Sequence, residues 1–138
     1  MDATKIAFVC EGNAGRSQFA TALAERERDR RGLDVEIVTG GVSPADHVHG
    51  TVLTALEEVD VDVSDRTPRR IRPEDVADAD RVVTMGCSAE AFVPPDWEGA
   101  AERWELDHPD AGDLEAARTQ REEIRDRVDR LFDDLVAD

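Results

Sequence analysis

Apolar positions fall into two periods that take turns along the chain, short continuous runs and three-or-four spacings, and the alternation predicts strand and helix in turn. Ile6, Ala7, Phe8 and Val9 form a run suited to a central strand covered on both faces, with Cys10 at its end. Phe19, Ala22 and Leu23 then follow at helical spacing behind Arg16 and Ser17, and this helix continues into the mixed-charge run Glu25 to Arg31. That run reads as a solvated face with i,i+4 pairs, and Gly32 stops it. Val35, Ile37 and Val38 predict a second strand ended by Gly40 and Gly41, and a right-handed crossover makes the two strands parallel neighbours. Val48, Val52, Ala55, Leu56 and Val59 predict a second helix, with Val61 and Val63 in an extended link. Pro73 to Asp80 is expected to form a short helix that begins with its proline and turns Val76 and Ala77 inward. A third strand follows at Arg81 to Met85 and a short edge strand at Ala101 to Leu106. Ala117, Ile124, Val128, Leu131 and Leu135 mark a last helix after Gly112, capped by Asp113.

The candidate chemistry sits between the first strand and the first helix, in Cys-Glu-Gly-Asn-Ala-Gly-Arg-Ser, residues 10 to 17. Gly12, Gly15 and Asn13 are types that tolerate positive φ and let backbone N–H groups turn inward around one point, a nest for an anion. Arg16 and Ser17 open the helix, so the positive end of its dipole faces the same point. A cysteine at the lip of such a nest is expected to ionise below its ordinary value of about 8.5 and act as a nucleophile. Arg16 can hold two oxygens of a tetrahedral dianion in fork geometry, and Ser17 can donate its hydroxyl to the sulfur. The plain alternative is an inert core cysteine at a strand end, with the glycines making a turn and nothing more. A Cys with an Arg six residues on is common by chance; the strand before, the helix after and the Gly, Asn and Ser between them give the catalytic reading its weight.

This stretch resembles the C-x5-R-S signature loop of the low-molecular-weight protein tyrosine phosphatases and of the arsenate reductases that share their fold. The Asn-Ala-Gly-Arg-Ser-Gln wording is nearer the reductases, and the resemblance runs the whole chain. It implies a four-stranded parallel α/β sheet with helices on both faces and the nest at the C-terminal end of the first strand. Cys10 is then the nucleophile, and Glu11, Gly12, Asn13, Ala14, Gly15, Arg16 and Ser17 bind the oxyanion, with no metal or organic cofactor. Gly86-Cys87-Ser88 ends the third strand, on the rim where such sheets place their ligand crevice. In the resembling reductases a cysteine here attacks the thiol–arsenic adduct and forms a disulfide as arsenite leaves; otherwise Cys87 is a small buried hydrophobe capping a strand. The third cysteine of a thioredoxin relay is missing, since Val93 and Pro94 stand six and seven residues past Cys87. An outside thiol must therefore resolve Cys87, or attack Cys10 itself. Both branches carry a general acid, usually an Asp immediately before a Pro; here His108 holds that place, flanked by Asp107 and Asp110. A carboxylic acid half-buried beside the nest would have its pKa raised enough to donate a proton, which favours Asp107, with His108 and Asp110 as alternatives.

Three functions follow. The first is arsenate reduction through Cys10 and Cys87, in which hydroxide or water is expelled and the acid matters less. The second is phosphomonoester hydrolysis through a cysteinyl-phosphate. The third is a non-catalytic phosphate- or phosphoprotein-binding module. An aryl phosphate wants aromatic walls, yet the chain has no Tyr, and Asp110 and Ala111 follow Pro109 where phosphatases of this type often carry aromatics.

Composition changes the picture in one respect. With 33 acidic against 17 basic residues in 138, the net charge is −16, and Lys5 is the only lysine. Such a surface reads as adaptation to high salt, where screening removes self-repulsion. It excludes a nucleic-acid partner, which needs a basic face. The length is that of a single domain, residues 1–138. No apolar stretch approaches a membrane span and no signal pattern opens the chain, so a cytoplasmic protein is expected. Two cysteines far apart do not suggest a disulfide framework. His47 and His49 diverge by about 200° on a helix with no third ligand near, and are read as structural or exposed. Asp65 to Arg72 is basic and turn-like, and its arginines either attract an anion or balance neighbouring acids.

Overall fold

In the computed structural model, which describes residues 4–107 and 112–136, β1 (Thr4–Cys10) is one of two inner strands of a wholly parallel sheet. It pairs with β2 (Val35–Gly41) on one side and β3 (Arg81–Met85) on the other, and β4 (Ala100–Arg103) adds to β3, giving the order β2-β1-β3-β4. The helices α1 (Arg16–Arg31), α2 (Gly50–Glu57) and α3 (Pro73–Val76) lie between strands, and α4 (Leu114–Val136) follows β4.

Alternation along β1 feeds two cores. Ile6 and Phe8 point into a layer with Phe19 and Leu23 of α1, Val52 and Leu56 of α2, and Ile124, Val128 and Phe132 of α4. Ala7 and Val9 point the other way, onto Ile71, Val76, Ala79, Val82 and Phe92. Helices thus cover both faces, and each fully buried large side chain contributes about 1.5–3 kcal/mol. α1 ends as its sequence predicts: Gly32 takes φ 66°, and Leu33 N–H reaches the Arg28 carbonyl at 3.0 Å, the six-to-one bond of a glycine-terminated helix. Asp113 Oδ1 accepts from Ala116 N–H at 3.0 Å and caps α4.

Several expectations change. α2 is shorter than its apolar stripe, because Val48 precedes it and Val59 follows it. α3 stops at Val76, and Ala79 is the inward residue while Ala77 is exposed. β4 spans Ala100–Arg103 instead of Ala101 to Leu106. The mixed-charge end of α1 is not uniformly solvated: Glu27 is 6 % exposed and receives Arg30 and Arg31 at 2.7 and 2.6 Å, which hold its carboxyl below the usual carboxylate range. Gly40 and Gly41 end β2 as the sequence predicts, and a Cβ on Gly41 would stand 2.7 Å from the Glu11 carbonyl oxygen. That bare backbone lets two segments come close: Gly41 N–H donates to Arg69 O, and Ile71 N–H to Gly41 O.

Candidate active site

β1 delivers Cys10 to the carboxyl edge of the sheet, and α1 starts six residues later, so residues 11 to 15 must turn the chain in a very short span. Hydrogen-bond accounting shows how the loop is oriented. Every carbonyl from Cys10 to Gly15 is used on the outside: Cys10 O accepts from Val42 N–H, Glu11 O from Ser43, Gly12 O from Ala45, Ala14 O from His49 and Gly15 O from Phe19. Asn13 O accepts from Gln18 Nε2 at 2.9 Å. The N–H groups of Glu11, Gly12, Ala14 and Gly15 have no partner among the described residues. A loop whose acceptors are consumed and whose donors are free presents a positive concavity, and the first turn of α1 adds its own unpaired N–H groups.

The residue that makes this turn possible is Asn13, and here the sequence reading needs correction. Neither Gly12 nor Gly15 takes positive φ; within the loop only Asn13 does, at φ 53°, in the region Asn tolerates best among residues with a side chain. Its amide is fully engaged at 0 % exposure. Asn13 Nδ2 donates to Ser17 Oγ at 2.7 Å and to Thr39 Oγ1 at 3.0 Å, while Oδ1 accepts from Arg69 N–H at 3.0 Å.

The direction of each bond follows from the ends of the network. The Phe8 carbonyl can only accept, so Thr39 donates to it at 2.8 Å and in turn accepts from Asn13. Ser17 also accepts from Asn13, which leaves its own proton for Cys10 Sγ, 2.9 Å away. Asn13 N–H donates to the same sulfur at 3.1 Å. The sulfur of Cys10, a residue 2 % exposed, is an acceptor twice over, and both donors would stabilise negative charge on it.

Arg16 lies flat on Gly86. Gly86 has φ 89°, which favours glycine, and a Cβ there would stand 2.7 Å from Arg16 Nη1 and 3.0 Å from Nη2, so any side chain would also displace the guanidinium. Arg16 makes no ion pair among the described residues. Cys87, the next residue after Gly86, donates its thiol to Val9 O at 3.7 Å, the carbonyl immediately before Cys10. Both cysteines are free and share one rim. Burial first, and then the charge of Cys10, push the Cys87 thiol up to about 11.

The structure gathers Cys10, the loop amides, Asn13, Arg16, Ser17 and Cys87. Asp107 is exposed and not half-buried, its carboxylate makes no hydrogen bond among the described residues, and its carbonyl accepts from Gln120 Nε2 at 2.6 Å. His108 and Asp110 lie outside the described residues. His47 is exposed, while the His49 ring packs on Gly15, 3.3 Å from where a Cβ would be. The described residues contain no cluster of three His, Cys, Asp or Glu able to hold a metal. The arginine-rich segment has two uses: Arg66 pairs with Glu25 at 2.7 Å and Arg69 with Asp75 at 3.3 Å, while the Arg69 backbone anchors Asn13. Thr39, Gln18 and the Arg69 N–H were missed in the sequence, where Gly86 was placed on the rim but given no role. Gln18 left a trace in the Arg-Ser-Gln wording.

A crevice of about 300 Å³, lined by Gly86, Arg103, Trp104, Glu105 and Leu106, shares Gly86 with the Arg16 contact. Trp104 is 3 % exposed, its ring tilted on Phe8 with centroids 5.8 Å apart, so little of it is open to the crevice. The four Phe are buried as well, and Trp97 donates to Ala79 O at the opposite edge of the sheet.

Fold and loop together define a class: α/β enzymes whose strand-end loop closes on a tetrahedral oxyanion against a cysteine sulfur. The chain belongs to the low molecular weight phosphotyrosine protein phosphatase family, whose model matches residues 5–138. A Halobacterium salinarum protein that carries the provisional name of an arsenate reductase is 48% identical over 98% of this chain and 95% of its own. The glutaredoxin arsenate reductase of Synechocystis is 33% identical over 93% of this chain and 95% of its own. A solved arsenate reductase in its phosphate-binding state superimposes with a TM-score of 0.76 at 32% identity, over 93% of this chain and 95% of that one.

Proposed function

We propose that the protein reduces arsenate to arsenite, with Cys10 as nucleophile and Cys87 as the second thiol. The observation that carries the reading is the Cys87 thiol on the carbonyl next to Cys10. A hydrolase of the nest type needs one thiol at this rim; a two-electron reduction needs two, and Cys87 is placed to be the second. The Cys10 thiolate attacks arsenic and water or hydroxide leaves, with the free amides and Arg16 taking the oxyanion charge. Cys87 sulfur then attacks Cys10 Sγ, the S–As bond breaks, and its electron pair stays on arsenic, which falls from As(V) to As(III). The Cys87 proton passes to an oxygen of the departing arsenite, and a Cys10–Cys87 disulfide remains. Burial first, and then the charge on Cys10, keeps Cys87 protonated until the adduct has formed. An external thiol closes the cycle, in keeping with the glutaredoxin in the Synechocystis relative's name. The acidic surface and the Halobacterium relative support a halophilic, cytoplasmic setting.

Phosphomonoester hydrolysis is the second reading, because the same nest fits phosphate and the family name is that of a phosphatase. The buried aromatics count against an aryl substrate. The test is purified protein in molar salt, given arsenate with a thiol reductant and, in parallel, para-nitrophenyl phosphate. Arsenate turnover should fall by ~10³-fold or more in both Cys10→Ser and Cys87→Ser. Ester hydrolysis that survives Cys87→Ser, with no arsenate turnover in the parent, would make the protein a phosphatase. Phosphate binding without either turnover would make it a binding module.

A further inference from the structure

Reduction through two cysteines, with no third in the chain, needs an outside thiol, and a surface carrying −16 charges repels small acidic ones. The crevice of about 300 Å³ beside Gly86 lies where such a thiol arrives, because Cys87 is the next residue. β4 runs up beside β3 to this rim: Arg103 pairs with Thr84, and Trp104 N–H donates to the Thr84 carbonyl at 2.9 Å. Trp104 turns into the core, while Arg103 and Glu105, on either side of it, stay exposed and line the crevice. Neither charge is neutralised. Among the described residues, Arg103 and Glu105 make no ion pair, with each other or with a third group. Two opposite charges that line one crevice and stand too far apart to pair suit a ligand that carries both signs itself. A carboxylate matches the guanidinium fork, and an ammonium matches the carboxylate. The volume is at the small end of ligand sites, the scale of an amino-acid head group and not of a protein surface.

We propose that this crevice binds the zwitterionic amino-acid head group of a small thiol, its carboxylate on Arg103 and its ammonium on Glu105, and so holds the reductant at the rim. The inference rests on the reductase reading for the need of a thiol, and adds to it the chemical class of that thiol and the residues that select it. Two such thiols, RSH, pass two electrons and two protons to the Cys10–Cys87 disulfide, giving two protein thiols and one RSSR. Arg103 and Glu105 take no part in that transfer. A neutral thiol does the same chemistry without the head-group contacts, and a purely anionic one meets Glu105 as a like charge.

The test uses the full chain in molar salt, with arsenate and one of two reductants: glutathione, whose γ-glutamyl end is such a head group, or 2-mercaptoethanol, which has none. In Arg103→Gln and in Glu105→Gln the ratio of kcat/KM for glutathione to that for 2-mercaptoethanol should fall about tenfold. An unchanged ratio overturns the proposal, and a general loss of fold or activity does not move it. Binding is read separately with S-methylglutathione, which carries the head group but cannot form a disulfide. It should shift the Gly86 and Trp104 amide NMR signals saturably, with a midpoint about tenfold weaker in Arg103→Gln. No saturable shift overturns the proposal, and leaves the reductase reading in place if arsenate is still turned over. Saturable binding without arsenate turnover by either thiol would sink the reductase reading and leave the crevice as an amino-acid site.

Discussion

Asn13 has a backbone in the left-handed region and a side chain that touches three other segments, so its two roles can be separated by substitution. Asn13→Ala leaves Arg69 N–H without an acceptor and Ser17 and Thr39 without a donor in a dry site, and is expected to cost about 2–3 kcal/mol. Asn13→Gly loses the same bonds but not the backbone's ease, and should be milder by about 1 kcal/mol. Urea unfolding in molar salt measures both; equal midpoints for the two variants would show that φ is unimportant. At this scale the sequence was informative about Cys10 and Arg16, whose types and spacing carry chemistry of their own. It was uninformative about Thr39, because a threonine in a strand reads as a strand former, and only the neighbouring Phe8 carbonyl and Asn13 amide give it a direction. It was silent on the burial of Asp107, because an Asp near a Pro carries no mark of how deep it will sit.

Elements were legible where an apolar run and a punctuating residue agreed. β3 matches its run because Arg81 and Met85 bound an uninterrupted stretch, and α1 ends at Gly32 because the glycine is needed at φ 66°. α3 was overextended because a Pro marks where a helix begins and says nothing about where it ends. The contact between α2 and α4 was invisible, since its partners lie about sixty residues apart. Just past α2, Glu58 receives Arg118 at 2.6 Å and Arg121 at 2.9 Å, both from α4, and Arg118 also reaches Glu115. The bonds from Arg118 and then Arg121 hold the Glu58 carboxyl at about 2, below its ordinary 4.5. The folded value is depressed, so this stabilisation is complete above about pH 4.5 and is lost as pH falls toward 2. Glu58→Gln should therefore lower stability at neutral pH and flatten its decline across that window. Unfolding midpoints against pH check this, and an unchanged slope would remove Glu58 from the acid response.

The molecule as a whole carries −16 charges around a site that must admit an anion. Many of its arginines are committed to carboxylates, as Arg31 is to Glu27 and Asp133, whereas Arg16 is uncommitted among the described residues. The surplus of acid repels itself over a range that shrinks from about 10 Å at 0.1 M salt to about 3 Å at 1 M. The thermal midpoint should accordingly rise by on the order of 10 °C between 0.1 and 2 M KCl, and KM for arsenate should fall over the same range. A midpoint that does not move with salt would refute the high-salt reading of the composition. No helix among the described residues is long and apolar enough to cross a membrane.

The loop that cradles the anion borrows its shape from residues brought in by two later stretches of chain, Thr39 at the exit of β2 and the Arg69 amide thirty residues beyond. A nascent chain that has released only its signature octapeptide and first helix owns every reacting atom but Cys87, yet has no cradle to put them in. Reactivity toward oxyanions is therefore acquired late, when β2 and the strand-like Arg69–Ile71 segment have docked, and a half-made polypeptide is spared premature chemistry at its thiol.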